Sequence, residues 1–147
     1  MRIQHIMLIS QHAEKDIERS VDNVTMWIDF DCEPSQGGKP WPFEISYVIH
    51  IVPSEEAASM VGTDYTKEDI PSIFTVSVRY AVQFSSDDEQ EDGKTLGAEV
   101  AASWPYARAD LVNLFRLHGM STMLLPATTP PMQASLNQEE HAADNNG

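Results

Sequence analysis

Apolar and polar side chains alternate over three long stretches of the chain. Between residues 72 and 84, Phe74, Val76, Val78, Tyr80, Val82 and Phe84 fall on one face, and Thr75, Ser77, Arg79, Ala81 and Gln83 on the other. Period two over this length predicts an antiparallel strand with one buried face. Residues 43–52 repeat it, with Phe43, Ile45, Tyr47, Ile49 and Ile51 opposed to Glu44, Ser46, Val48 and His50. Residues 24–31 repeat it again, setting Val24, Met26, Ile28 and Phe30 against Thr25, Trp27, Asp29 and Asp31. A fourth stretch, 3–9, is apolar on both sides, as a strand covered twice would be.

The period then changes. Over residues 95–118, Leu96, Val100, Trp104, Ala107, Leu111, Leu114, Phe115 and His118 recur at spacings of three and four, which predicts an amphipathic helix. Gly119 follows as a C′ glycine would. Pro105 lies inside; it lacks a donor and clashes with the Ala101 carbonyl, so a kink or restart is expected there. Residues 11–23 read as an extended connection or a short helix, 33–42 as a Pro-Gly loop, and 53–71 as a long connection with a helical turn near 54–59. Residues 85–93 form an acidic solvated loop. A short extended segment is expected at 123–125. From 128 onward the residues are mostly small, polar or proline, as in disordered chains. The expected fold is α+β: a four-stranded antiparallel sheet with a long, Pro-kinked helix on one face, in a single domain at 1–130 with a disordered tail at 131–147.

Length and charge narrow the functions. The 147 residues suit one core. Nine Lys and Arg stand against 23 Asp and Glu, a net charge of −14. Phosphate contacts need cations, so nucleic acid is not an expected partner, and anionic membrane surfaces repel such a chain. No run approaches a membrane span, and the N-terminal stretch lacks a signal-peptide cleavage site. Cys32 alone excludes an internal disulfide framework. The expected location is the cytoplasm.

The search for chemistry is negative. Phosphate-loop, nucleophile-elbow, zinc-protease and C-x-x-C motifs are absent, and His5, His12, His50, His118 and His141 never pair at ligand spacing. Asp29, Asp31 and Glu33 share a strand face; hard cations bind such sets, but a solvent-facing acidic strand end is the plainer reading. Cys32 has no histidine or basic neighbour to lower its pKa and reads as a small, half-buried side chain. No enzyme, cofactor or metal is expected. The aromatics carry more. Trp27 falls on the polar face of its strand, and Trp41 and Phe43 sit in and after the Pro-Gly loop. Outward aromatics suit a surface for other chains, whether client or oligomer partner.

Trp104-Pro105-Tyr106-Ala107-Arg108 resembles the F-P-Y-A-R-E stretch in the long helix of the export chaperone SecB and its relatives. The following segment, DLVNLFRLHGMSTMLLPATTPP, is similar to the family's run of helix, glycine, short apolar segment and proline. The order of four strands before that helix agrees. The resemblance implies a four-stranded antiparallel sheet under a long helix, with a connection crossing between the first and second strands at 11–23. It implies assembly as dimers or tetramers, and binding of unfolded or nascent polypeptides in apolar grooves without ATP. Some relatives serve export through an acidic sheet face; others are dedicated to an antitoxin. Here Arg108 is followed directly by Ala109 rather than by an acidic residue, with Asp110 one position later, and the tail is too short and polar for the family's second C-terminal helix. Both features favour an orphan or toxin–antitoxin-associated type over the housekeeping export chaperone.

Two functions follow as expectations. The first is a holdase for non-native polypeptide, with Trp27, Trp41 and Phe43 in the peptide groove. Its oligomer interface would use Ile3, Met7, Ile9, Trp104, Tyr106 and Arg108. The alternative is an oligomeric adaptor with one specific folded partner. Tyr106 would turn its hydroxyl to a carbonyl freed by Pro105, and Arg108 would pair with Asp110 or a neighbouring subunit.

Overall fold

A computed structural model describes residues 2–19, 22–60, 70–85 and 95–128. The expected tail at 131–147 and nearly all of the acidic loop lie outside these residues. Strands β1 (Arg2–Lys15), β2 (Val24–Pro34), β3 (Phe43–Pro53) and β4 (Phe74–Ser85) form one antiparallel sheet in the order β1-β4-β3-β2. Helix α1 (Ser54–Met60) follows β3, and α2 (Thr95–Leu117) follows β4. The two strands that open the chain therefore occupy opposite edges, and the segment after Lys15 crosses between them. Asn23 adopts φ 52° at the end of that crossing, a left-handed conformation that Asn tolerates, and its carbonyl accepts from the Ser54 amide.

Strand register explains the two faces. Ile28 pairs with Ile49, Ile49 with Val76, and Ile45 with Tyr80, so directly opposed apolar side chains stack on one face. Against them α2 lays Val100, Trp104, Ala107, Leu111, Leu114 and Phe115, all buried in the same core. Tyr47 packs on Trp104 with ring centroids 5.5 Å apart, and Phe74 meets Phe115 edge-on at 5.2 Å. The helix does not restart at Pro105; it is one element from Thr95 to Leu117. Pro105 and Ala101 are both exposed, so the carbonyl that loses its donor meets water.

The helix ends as Gly119 predicts. Gly119 has φ 69°; its amide bonds the Arg116 carbonyl and the Met120 amide bonds Phe115, the two bonds of a Schellman motif. Lys15 Nζ adds a hydrogen bond to the His118 carbonyl at 2.8 Å, placing a cation at the negative end of the helix. The extended segment expected at 123–125 is instead a 3₁₀ turn, Thr122–Leu124, capped by Ser121.

Strand β1 is longer than expected. It continues through Gln11, His12 and Glu14, where polar residues hid it, because one face and one edge are open to water. Its register shifts between Ile3 and His5 and between Leu8 and Ser10. Each shift adds a residue, so Ile3, Ile6 and Leu8 all pair with the α2-facing set Phe84, Val82 and Tyr80. The apparent two-sided apolar character of 3–9 thus comes largely from bulges rather than from two covers.

Candidate functional site

A cleft of about 400 Å³ opens between β1 and α2, lined by Ile6, Leu8, Tyr80, Pro105, Tyr106, Ala109 and Asp110. Its floor comes from the sheet: Ile6 and Leu8 on the edge strand, and Tyr80 on the strand beside it. Its wall comes from the solvent side of α2. Tyr106 is 49% exposed and Leu8 36%, so apolar surface is presented rather than sealed. Among the described residues no strand lies beside the outer edge of β1, and the outward amides and carbonyls of such an edge strand can take part in main-chain pairing. The polar centre of the cleft is Asp110, whose Oδ2 accepts the Tyr80 hydroxyl at 2.7 Å. Burial, with the Asp110 carboxylate beside it, pushes the Tyr80 phenol up and keeps it a donor.

The aromatics expected to form a peptide groove do not come together. Trp27 lies on the sheet face away from α2, half-buried with Met60 against Val52, Ala57 and Ile70. Trp41 is half-buried on that same face, near the far end of β2. Its indole N–H donates to Glu44 Oε2 at 3.0 Å, with Lys39 over the ring at 5.6 Å. Glu44 pairs with Glu33, six residues along β2 from Trp27, roughly 20 Å at strand rise. Phe43 is on the opposite, α2 face, tilted against Phe84 at 6.2 Å. Alternation assigned the faces of Trp27 and Phe43, but α1 and the 35–42 loop cover what alternation left outward.

Of the residues expected at an oligomer interface, Trp104 is 1% exposed and its indole N–H bonds the Pro126 carbonyl at 3.2 Å; it has no surface to offer. Arg108 Nε bonds the same carbonyl at 3.0 Å, so it straps the segment after the 3₁₀ turn to α2 rather than pairing with Asp110. Ile3 and Ile9 are half-covered, whereas Met7 and Tyr106 are exposed. Leu8, Tyr80 and Asp110 were missed as site residues. The signal for Leu8 was the three-residue step from Ile3 to Ile6, which breaks period two; Asp110 had none, because only the packing of α2 over β4 brings it to Tyr80.

Other polar groups serve the frame. Glu44 accepts from Lys39 Nζ (2.8 Å), Trp41 and Arg79 Nε (2.6 Å), and these donors hold its carboxyl down at about 2. Arg79 also reaches Glu33 at 3.0 Å, which occupies one of the three carboxylates of the β2 row. Cys32 is half-buried and donates to Glu99 Oε2 at 2.9 Å. Burial and that neighbouring carboxylate push the thiol up, away from a reactive thiolate. Among the described residues, no group of three His, Cys, Asp or Glu is placed to hold a metal, and no helix is long and apolar enough to cross a membrane.

The class these features define is an α+β domain with one helix-covered face, an open edge strand and an apolar cleft beside it. Among solved structures the chain is similar to the SecB-like chaperone Rv1957 of Mycobacterium tuberculosis, in complex with a ChAD peptide from the Rv1956 HigA1 antitoxin. The TM-score is 0.49 with 17% sequence identity, over 89% of this chain and 92% of that one. No family model and no curated protein matches the chain.

Proposed function

We propose that this chain is a SecB-like molecular chaperone of the holdase type, binding non-native or nascent polypeptide without ATP. The observation that carries the reading is the apolar cleft beside an unpaired edge strand in a chain of net charge −14. An extended client adds main-chain hydrogen bonds along β1 and inserts alternate side chains under Tyr106 and Pro105. The charge keeps the loaded protein soluble while apolar surface is displayed. The Trp104-Pro105-Tyr106-Ala107-Arg108 resemblance points the same way, and the departures from the export type favour a dedicated client such as an antitoxin.

Self-association as a dimer or tetramer is part of the proposal, in a cytoplasmic protein with one domain at 1–130. Met7, on the face of β1 away from the cleft, and Leu117, at the end of α2, are 54% and 70% exposed and give such an assembly apolar surface to cover. Light scattering at micromolar concentrations tests it: a clean monomer of 16.4 kDa removes the assembly.

The test of function is suppression of aggregation by several unrelated unfolded proteins, followed by turbidity without nucleotide. Protection of all of them supports the holdase. Binding of a single folded partner and of no unfolded chain supports an adaptor instead.

A further inference from the structure

We propose that Glu99 is a proton-operated latch: uncharged, it holds the first turn of α2 on β2, and ionised, it releases that turn. The latch is a regulatory device of the fold and does not depend on the holdase reading. Glu99 is only 6% exposed. Its carboxyl meets the Cys32 thiol at 2.9 Å, a weak donor. None of the ion pairs among the described residues includes Glu99. A carboxylate in such a place has lost its water without gaining a cation.

The groups that face it do not supply one. On β2 they are Asp31, whose charge acts on Glu99, and Cys32, which is itself flanked by Asp31 and Glu33. Arg79, the cation near that row, is engaged by Glu44 and Glu33. On β3 the facing group is Tyr47, kept a neutral phenol by burial. Helix α2 itself adds no titratable side chain between Glu99 and Tyr106. Burial pushes the Glu99 carboxyl up from its ordinary 4.5, Asp31 adds to the push, and the thiol hydrogen bond offsets only part of it.

The start of α2 is the part free to respond. Its first turn has no acidic residue to complement the helix dipole and contains Gly97, a poor helix former. One turn later the helix is fixed. Ser103 Oγ donates to the Glu99 carbonyl at 2.8 Å and meets the Tyr47 hydroxyl at 2.6 Å, while Trp104 is sealed in the core. These neutral contacts do not titrate with the carboxyl. A carboxyl raised on folding leaves the docked state unpenalised below about 4.5 and weakens it as pH rises through the folded value. The latch is therefore closed in acid and opens toward neutral and alkaline pH, uncovering Cys32.

The experiment uses the full chain. Carbon-13 NMR of the side-chain carboxyls reads the Glu99 midpoint directly, and amide hydrogen exchange reads local opening. The Glu99 carboxyl should titrate above 4.5, its ordinary value. The amides of Glu99 and Val100 bond the first carbonyls of α2. Corrected for intrinsic exchange, their protection should fall roughly tenfold or more between about pH 4.5 and 8, while Leu111 to Phe115 keep theirs. Glu99→Gln, uncharged throughout, should hold protection flat. Cys32→Ala removes a donor that favours the ionised form and should move the midpoint to higher pH.

A wild-type Glu99 midpoint at or below its ordinary 4.5 overturns the proposal, and that measurement needs no variant to fold. The same loss of protection in Glu99→Gln also overturns it, since another group then titrates. Loss of protection along the whole of α2 does so too, because the helix then opens as one unit. Suppression of aggregation tests the holdase reading separately and is untouched by these outcomes.

Discussion

The two faces of the sheet are built by different means. The α2 face is continuous: opposed strand residues stack from Ile28 through Ile49 to Val76, and one long helix seals them. The other face is covered in pieces. At one end α1 closes a small cluster of Val52, Ala57 and Ile70 beside Trp27, and Arg19 ties the crossing segment to Glu56 at 2.7 Å. At the other end Glu44 collects Lys39, Trp41 and Arg79. A continuous apolar layer gains stability from area, whereas short covers depend on a few specific contacts. The first face should therefore dominate folding, and the second should set how the loops are held.

Truncation tests that division. Trp104→Ala removes a side chain that is fully buried between α2 and Tyr47 and should cost about 3–5 kcal/mol, measured by urea unfolding. A cost below that of Trp27→Ala would break the comparison. Trp27 is only half-covered by its small cluster, so its truncation should cost about 1–2 kcal/mol, a fraction of the value for a fully buried large side chain. Its effect should be confined to the α1 end.

The same division decides what could be read from residues alone. Strand faces and the helix seam were legible because they are periodic and each element buries its own stripe. Phe74 to Val82 and Val100 to Phe115 lie where their spacing placed them. The cap at Gly119 was legible for a local reason, a glycine at φ 69°. The covers of the second face were not, because Trp27 packs on the cluster of Val52, Ala57 and Ile70, and Trp41 reaches Glu44 from a loop that has no period. The length of β1 was hidden by the polar residues of an open edge. The cleft was hidden for a further reason: Tyr80 and Asp110 belong to elements 30 residues apart in the chain, and nothing local to either names the other. Tyr106 was singled out from its motif; for Arg108 the expected partners were Asp110 or a neighbouring subunit, and within the chain its Nε bonds the Pro126 carbonyl instead of Asp110.

Acid sharpens the comparison at the Glu44 end. Hydrogen bonds from Lys39 first, then from Trp41 and Arg79, hold the Glu44 carboxyl at about 2, below its ordinary 4.5. A carboxyl depressed on folding stabilises the native state above its unfolded value and loses that contribution as pH falls through the folded one. The gap in melting temperature between wild type and Glu44→Gln should therefore be full at neutral pH and narrow between about 4.5 and 2. A gap that stays constant across this range would show that the network acts through neutral hydrogen bonding alone. Trp104→Ala should show no such narrowing.

The smallest effect on stability is expected at the cleft. Tyr106 projects from the solvent side of α2 and is half-exposed. Substitutions at such positions stay within about 0.5 kcal/mol, so Tyr106→Ala should leave the urea midpoint nearly unchanged. Aggregation suppression should nevertheless fall, because an aromatic ring gives a client a large contact area at low entropic cost. Trp27→Ala supplies the contrast: a measurable loss of stability, with protection per folded molecule intact. If Tyr106→Ala destabilises the protein as much as Trp27→Ala, the cleft wall belongs to the core and the α2 side has no surface set apart for binding. If Trp27→Ala instead is the variant that loses protection at unchanged stability, clients dock on the second face, and the division drawn between the two faces is reversed.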